Sequence, residues 1–217
     1  MIIADGVALF LVDDDPSVRN SLTRLLRAEG VEPRAFATAE EFMAFLPSVS
    51  GPSCVLLDIG LPGESGLELH ARLQDLRPEL AVVFLTGHGD VPGAVESMKR
   101  GAVDFLLKPV AAATLIAALS RAIERARAAS VEKSARHDVA LRYGRLTPRE
   151  REVLTHVIAG KRNKVIAAEI GTTEKTVKVH RGRIMEKMRA RSVAELVRAS
   201  DRLGIDPAPS PARAKPP

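Results

Sequence analysis

Four continuously apolar runs recur through the first half of the chain, Val7–Val12, Cys54–Leu57, Ala81–Leu85 and Phe105–Leu107, and each stops at a polar residue: Asp13, Asp58, Thr86 and Lys108. A strand with one face in water alternates apolar with polar residues. An unbroken apolar run of this length instead suits a strand covered on both faces, as in a parallel sheet with helices on either side. A weaker fifth strand is expected at Pro33–Ala37. Amphipathic stretches separate the runs. Asp15-Pro16 supplies an acidic N-cap followed by proline at the first helical position, after which Val18, Leu22, Leu25 and Leu26 share one helical face. Thr38-Ala39-Glu40-Glu41 has the spacing of a capping box and opens a helix toward Leu46. Further helices are expected over Gly66–Arg77, Val91–Arg100 and Ala111–Arg127. Repeated βα units predict a doubly wound α/β domain.

In such a sheet the carboxyl ends of the strands line the ligand crevice. Asp13, Asp14 and Asp58, the Thr86 hydroxyl and the Lys108 ammonium therefore converge there. A strand-end acid can serve merely as a helix cap, and Asp15 is expected to do so. The full set goes further, because clustered carboxylates repel and a hard cation relieves that repulsion. Oxygen ligands at few positions favour Mg²⁺, which keeps some of its waters and accepts a phosphoryl oxygen. A carboxylate is also a competent nucleophile toward an activated phosphoryl group.

The second half is different in kind. Residues 1–110 carry a formal charge of −7 and residues 111–217 one of +12. The basic half suits a polyanion, although charge alone does not separate DNA from RNA or a membrane surface. Residues 128–145 are polar, mixed in charge and free of glycine until Gly144, which suits a helical linker. Thr147-Pro148-Arg149-Glu150 combines a capping box with proline in the first turn. Gly160 and Gly171 punctuate helix ends, and Ser192-Val193-Ala194-Glu195 caps a last helix reaching Leu203. Between them a short helix from Asn163 meets the Gly171 turn, and Thr173 caps a second helix. On that helix Val177, Ile184 and Met188 fall on one side. Lys175, Val179 and Gly182 fall opposite, flanked by Lys178 and Arg183. A basic exposed stripe of this kind suits a recognition helix in the major groove, but also a membrane surface or a partner helix.

The single cysteine, Cys54, sits in an apolar run, so no disulfide framework is possible and a reducing compartment is expected. No apolar run approaches the ~18 residues that span a bilayer, and the N-terminus has no basic n-region. A cytoplasmic protein without membrane contact is the expectation.

Leu11-Val12-Asp13-Asp14-Asp15-Pro16, Leu56-Leu57-Asp58-Ile59-Gly60-Leu61-Pro62-Gly63, Thr86-Gly87-His88-Gly89-Asp90 and Phe105-Leu106-Leu107-Lys108-Pro109 resemble, in order and spacing, the signature segments of response-regulator receiver domains. Leu146–Leu154 and the segment Asn163–Met188 resemble the LuxR-type four-helix DNA-binding module. Their pairing, with the Gly87–Asp90 run, resembles FixJ-type two-component regulators. The resemblance implies a receiver over 5–127 with sheet order 2-1-3-4-5 and, beyond the helical linker over 128–145, an all-α helix-turn-helix domain over 146–204; the tail over 205–217 is rich in Pro and Ala and is expected to be disordered. It implies that Asp58 accepts a phosphoryl group from a sensor histidine kinase, and that Asp13, Asp14, Asp58 and the Gly60 carbonyl hold Mg²⁺. Thr86 would bind the phosphoryl group, Lys108 would pair with it, and a cis peptide would precede Pro109. Thr86 and Phe105 would form the switch, with homodimerisation on phosphorylation through helix Val91–Arg100 and the fifth strand. Lys175, Thr176, Lys178, Val179 and Arg183 would meet duplex DNA, and RNA polymerase would be a further partner.

The chain departs from its relatives at two places. Gly60-Leu61 stands where many carry a larger residue and Met, but the glycine still offers its carbonyl. Gly182 stands where some carry a base-reaching cation. Two other readings remain. Aspartate-nucleophile phosphohydrolases place a second acid two residues after the nucleophile. Gly60 occupies that position here, so a phosphoacceptor without turnover on an external substrate is expected. The helical domain would alternatively be a protein-docking module.

Overall fold

The computed structural model describes residues 6–87, 98 and 100–209. The chain divides into two compact units, Met1–Lys133 and Ser134–Pro217. In the first, β1 (Ala8–Val12), β2 (Arg34–Phe36), β3 (Ser53–Asp58), β4 (Ala81–Thr86) and β5 (Asp104–Leu107) form one sheet of order β2-β1-β3-β4-β5. All four pairings are parallel. The expected topology is thus observed. Helices α1 (Pro16–Ala28), α2 (Ala39–Phe45) and α3 (Gly66–Leu76) connect the strands, and α4 (Ala112–Gly144) follows β5. The expected helix Val91–Arg100 and the His88–Asp90 part of the signature run lie outside the described residues, apart from Met98 and Arg100.

Successive residues of a strand point to opposite faces, and here each face has its own core. Leu9, Leu11, Cys54, Leu56, Val83 and Leu85 pack with Leu22 and Leu26 of α1 and Leu115 and Leu119 of α4. Phe10, Val12, Val55, Leu57, Val82 and Phe84 pack with Phe42 of α2 and Leu69 and Leu73 of α3. Every residue of β3 and β4 is buried. The apolar runs are unbroken because two helix layers each claim every second residue.

The caps fix where helices begin. The Asp15 carboxylate accepts from the N–H groups of Ser17 (2.7 Å) and Val18 (3.4 Å). Thr38 caps α2 through the Glu41 N–H (3.2 Å), but the Glu41 carboxylate reaches past the cap to the Ala37 N–H (2.9 Å), so the expected capping box is only half made. Ser65 and Glu68 form a complete box at α3 that the spacing alone had not singled out.

Helix α4 runs through the stretch expected to link the domains, because nothing between residues 112 and 143 breaks it. Lys133 on this helix pairs with the buried Glu79 (2.6 Å), which also takes the Arg77 guanidinium (2.6 Å). Burial opposes the Glu79 charge, but Lys133 and Arg77 outweigh it and hold the carboxyl below its ordinary range.

The second unit is helical: α5 (Pro148–Ile158), α6 (Asn163–Glu169), α7 (Glu174–Met188) and α8 (Val193–Leu203). Eight α-helices occur among the described residues. Val153, Leu154, Val157, Ile166, Val177, Ile184, Met188 and Leu196 make its core, so the face expected to turn inward on α7 does so. The Thr147–Glu150 capping box forms in both directions. Burial works against the Glu150 charge, yet the Lys187 ammonium (2.6 Å) and the Thr147 N–H (2.8 Å) hold its carboxyl below the usual range. The tail departs from expectation at its start. Ala208 donates its N–H to the Thr155 carbonyl (3.0 Å), and the Pro209 carbonyl accepts from Lys161 (2.8 Å), so 205–209 are held in place. Residues 210–217 lie outside the described residues. Among those described, no helix is long and apolar enough to cross a membrane.

Candidate functional site

The strand ends converge as expected. Asp13 follows β1, Asp58 closes β3, Thr86 closes β4, and Lys108 follows β5. One carboxylate oxygen each from Asp13, Asp14 and Asp58 lie within 4.8 Å of one another. Asp13 and Asp58 are buried and Asp14 is exposed, so the cluster is open on one side. The Lys108 ammonium reaches Asp13 Oδ2 (2.5 Å) and Asp58 Oδ2 (3.1 Å).

Local structure fixes each group. The Asp13 N–H donates to the Phe36 carbonyl (3.2 Å), its Oδ1 accepts from the Asp15 N–H (3.0 Å), and its carbonyl accepts from Arg19 (2.6 Å). The Lys108 N–H donates to the Thr86 carbonyl (2.7 Å), and the Lys108–Pro109 peptide is cis. After Asp58 the chain turns sharply, with Ile59 N–H on Leu85 O (3.1 Å) and Gly66 N–H on Ile59 O (3.0 Å). A Cβ on Gly66 would lie 2.1 Å from the Asp58 carbonyl oxygen, so only glycine lets α3 start this close to the acid. Arg19 and Gly66 were not among the expected site residues. The signal for Gly66 was faint, a glycine at the start of a helix that is otherwise well capped.

Burial raises the Asp13 pKa, with Lys108 opposing and the Asp58 charge adding to it. Burial works against the Lys108 charge, but Asp13 and Asp58 prevail and raise its pKa. The pocket thus holds more negative charge than one ammonium neutralises. Three convergent carboxylates, all-oxygen and open to solvent at Asp14, are a donor set compatible with Mg²⁺. Gly60 lies beside them, its Cβ direction 3.7 Å from Asp58 Oδ2. Thr86 is buried beside the cluster, and Phe105 packs against Phe84 with ring centroids 6.3 Å apart.

In the second unit α6 and α7 form a helix-turn-helix. Gly171 takes the left-handed conformation at the turn (φ +65°), and the Thr172 N–H closes back on Ala167 O (2.9 Å). Thr173 caps α7 through the Thr176 N–H (3.2 Å). The hydroxyls of Thr173 and Thr176 also bond each other (2.9 Å), so Thr176 contributes to the cap as well as facing the surface. Lys175, Lys178, Val179 and Arg183 are all exposed, Val179 to 47%. Among the described residues nothing lies within 4 Å of a Cβ built on Gly182, so none of their contacts explains that glycine. Sequence reasoning passed over an adjoining basic groove lined by Lys161, Arg162, Asn163, Lys164 and Arg181, with Arg181 held by the Asn163 side chain (3.1 Å). The run Lys161-Arg162-Asn163-Lys164 was its visible signal.

Comparison with known proteins places each unit in a family. Residues 9–120 match the response regulator receiver domain, and residues 145–200 match the bacterial regulatory proteins of the luxR family. The chain therefore belongs to the FixJ-type two-component response regulators, transcription regulators in which a receiver precedes a LuxR-type DNA-binding domain. It is 44% identical to nodulation protein W of Bradyrhizobium diazoefficiens over 91% of this chain and 86% of that protein. It is 41% identical to the transcriptional regulatory protein FixJ of the same organism, over 91% of this chain and 96% of that protein. Among solved structures it is similar to the response regulator StyR, with a TM-score of 0.72 and 38% identity over 91% of this chain and 99% of that one.

Proposed function

We propose that the Asp58 carboxylate accepts a phosphoryl group from the phosphohistidine of a sensor kinase, and that this modification controls dimerisation and sequence-specific DNA binding. The observation that carries the reading is the Asp58 carboxylate held between the Lys108 ammonium, 3.1 Å away, and the Asp13–Asp14 pair. An Asp58 carboxylate oxygen attacks phosphorus, the phosphorus–nitrogen bond breaks, and an acyl phosphate forms on Asp58 as the histidine leaves. Asp13, Asp14, Asp58 and the Gly60 carbonyl would hold Mg²⁺, which when bound supplies positive charge against the phosphoryl oxygens. Lys108 pairs with the transferred group and orients it. The chain does not turn over an external substrate, since Gly60 offers no second acid to carry a proton.

The added phosphoryl oxygens are strong acceptors and draw the Thr86 hydroxyl inward. Phe105 follows into the space beside β4. This alters the surface at β5, where Leu107 exposes an apolar side chain, and two copies dimerise through β5 and the segment Val91–Arg100. The dimer places two α7 helices in successive major grooves. Lys178 and Val179 meet base edges, and Lys175, Thr176 and Arg183 meet phosphates. Arg162 and Lys164 add phosphate contacts from the adjoining groove. The bound dimer engages RNA polymerase in the cytoplasm.

Incubation with a small phosphodonor and Mg²⁺ tests the acceptor. The expected product is one acid-stable, base-labile adduct per chain, absent in Asp58→Asn. Equal incorporation in that variant refutes the assignment.

A further inference from the structure

We propose that the helical unit carries a separate site for a small phosphorylated molecule, in the cavity between the second half of α4, the end of α7 and α8. The cavity measures about 260 Å³, and its wall carries four guanidinium groups, Arg142, Arg189, Arg198 and Arg202, against two carboxylates, Asp138 and Glu195. Both acids are already engaged. Asp138 pairs with Arg142, and Glu195 Oε2 accepts from the Arg191 N–H (2.8 Å). Arg189 and Arg198 form no ion pair among the described residues.

Two further observations separate this wall from an ordinary basic surface. The Arg142 Nε–H is shielded from solvent and has no hydrogen-bond partner among the described residues. A buried donor left unmade is unfavourable, and its survival calls for a reason. Arg189 holds a left-handed backbone conformation (φ +53°) at the end of α7, the one non-glycine residue with positive φ among those described. Glycine would take that conformation freely, so the backbone itself does not call for an arginine there. Three of the carbonyls at the end of α7 are bonded without the Arg189 side chain, Met185 to the Ala190 N–H, Glu186 to the Arg189 N–H and Met188 to Arg142.

Guanidinium forks match phosphate oxygens in bidentate pairs, which makes a phosphate monoester or pyrophosphate the fitting class. The volume lies just below the ~300 Å³ at which sites for larger organic ligands begin. The ligand is therefore pyrophosphate-sized, or a phosphate ester with a short organic part. Because Met188 and Arg189 end the helix that carries Lys178 and Val179, the site adjoins the recognition element itself.

Titration calorimetry and thermal denaturation of the full chain with inorganic pyrophosphate test this. EDTA is present so that no divalent cation serves the acid cluster of the other unit. Pyrophosphate is expected to bind and raise the Tm, with sulfate at matched ionic strength about tenfold weaker. Arg189→Gly, which relieves the backbone, and the exposed Arg198→Ala should each weaken pyrophosphate about tenfold or more without lowering the ligand-free Tm. Unchanged affinity in both variants overturns the proposal, as does sulfate binding equally well. So does a failure of pyrophosphate to bind while both variants lose affinity for duplex DNA, since the arginines would then serve the DNA backbone.

Discussion

The two units solve opposite electrostatic problems. The receiver draws the buried Asp13 and Asp58 and the half-buried Lys108 together at the edge of a dry sheet. The helical unit leaves Lys175, Lys178 and Arg183 in water on the outside of α7 and buries only the opposite face. A charge out of water must be held by its partners, so the charges of the receiver site are coupled to the stability of its own fold. A charge left in water can be removed with little effect on the fold. Substitutions in the first site should therefore change stability and function together, and those in the second only function.

The largest expected effect breaks the first half of this contrast. Lys108→Ala leaves two buried carboxylates without their cation and should lower receiver stability by about 3–5 kcal/mol in urea unfolding. Arg183→Ala should stay within about 0.5 kcal/mol of the parent. Comparable losses in the two variants would dissolve the distinction.

Glu150 is the instructive exception, a buried acid in the otherwise water-facing unit. It serves the α5 capping box and the Lys187 ion pair at once. Glu150→Ala should destabilise the helical unit by about 2–4 kcal/mol, from the broken pair and the lost cap. Its carboxyl is held below the ordinary range when folded. The stabilisation is therefore present above the unfolded value, near 4.5, and is lost as pH falls through the depressed folded value. Acid unfolding followed by circular dichroism should show that loss in the parent and not in Glu150→Gln.

A smaller effect is expected on the exposed stripe. Lys178→Ala should lose about 1–3 kcal/mol on specific duplex and little on random duplex. Arg183→Ala should weaken both equally and flatten the log–log salt slope by about 0.9. Equal loss on both duplexes for Lys178→Ala would make it a phosphate contact. The smallest effect is an absence. Burial pushes the Cys54 thiol up to about 12, so iodoacetamide at pH 8 should label it only through unfolding. Rapid labelling of the native chain would mean that the first core opens more readily than its packing implies.

The contrast also explains what could be read from sequence. The strand runs were legible because two helix layers bury every position of β3 and β4 and leave polar residues only at the strand ends, and the strand-end residues then followed from topology. The inward face of α7 was legible from helical spacing. Contacts between residues far apart in sequence were not. Gly66 is required by the Asp58 carbonyl eight residues earlier, a proximity that only the folded turn creates. The Glu79–Lys133 pair joins positions 54 apart and ties down a helix whose length alone was expected. Thr38 shows the limit of local spacing, since the geometry preceding α2 sends Glu41 to Ala37 instead. Composition made the chain after Ile205 look loose, whereas Thr155 and Lys161 hold its first residues.

The most direct test of the link between the two units is duplex binding, followed by fluorescence anisotropy, with and without a small phosphodonor and Mg²⁺. The duplexes are those recovered from genomic fragments bound by the full chain. For the parent protein, phosphorylation should tighten specific binding by about fivefold or more, the lower end of ordinary coupling between sites. Asp58→Asn should bind with the unphosphorylated affinity under both conditions. An equal gain in Asp58→Asn, or no gain in a parent shown to carry the phosphoryl group, would contradict control of DNA binding through Asp58.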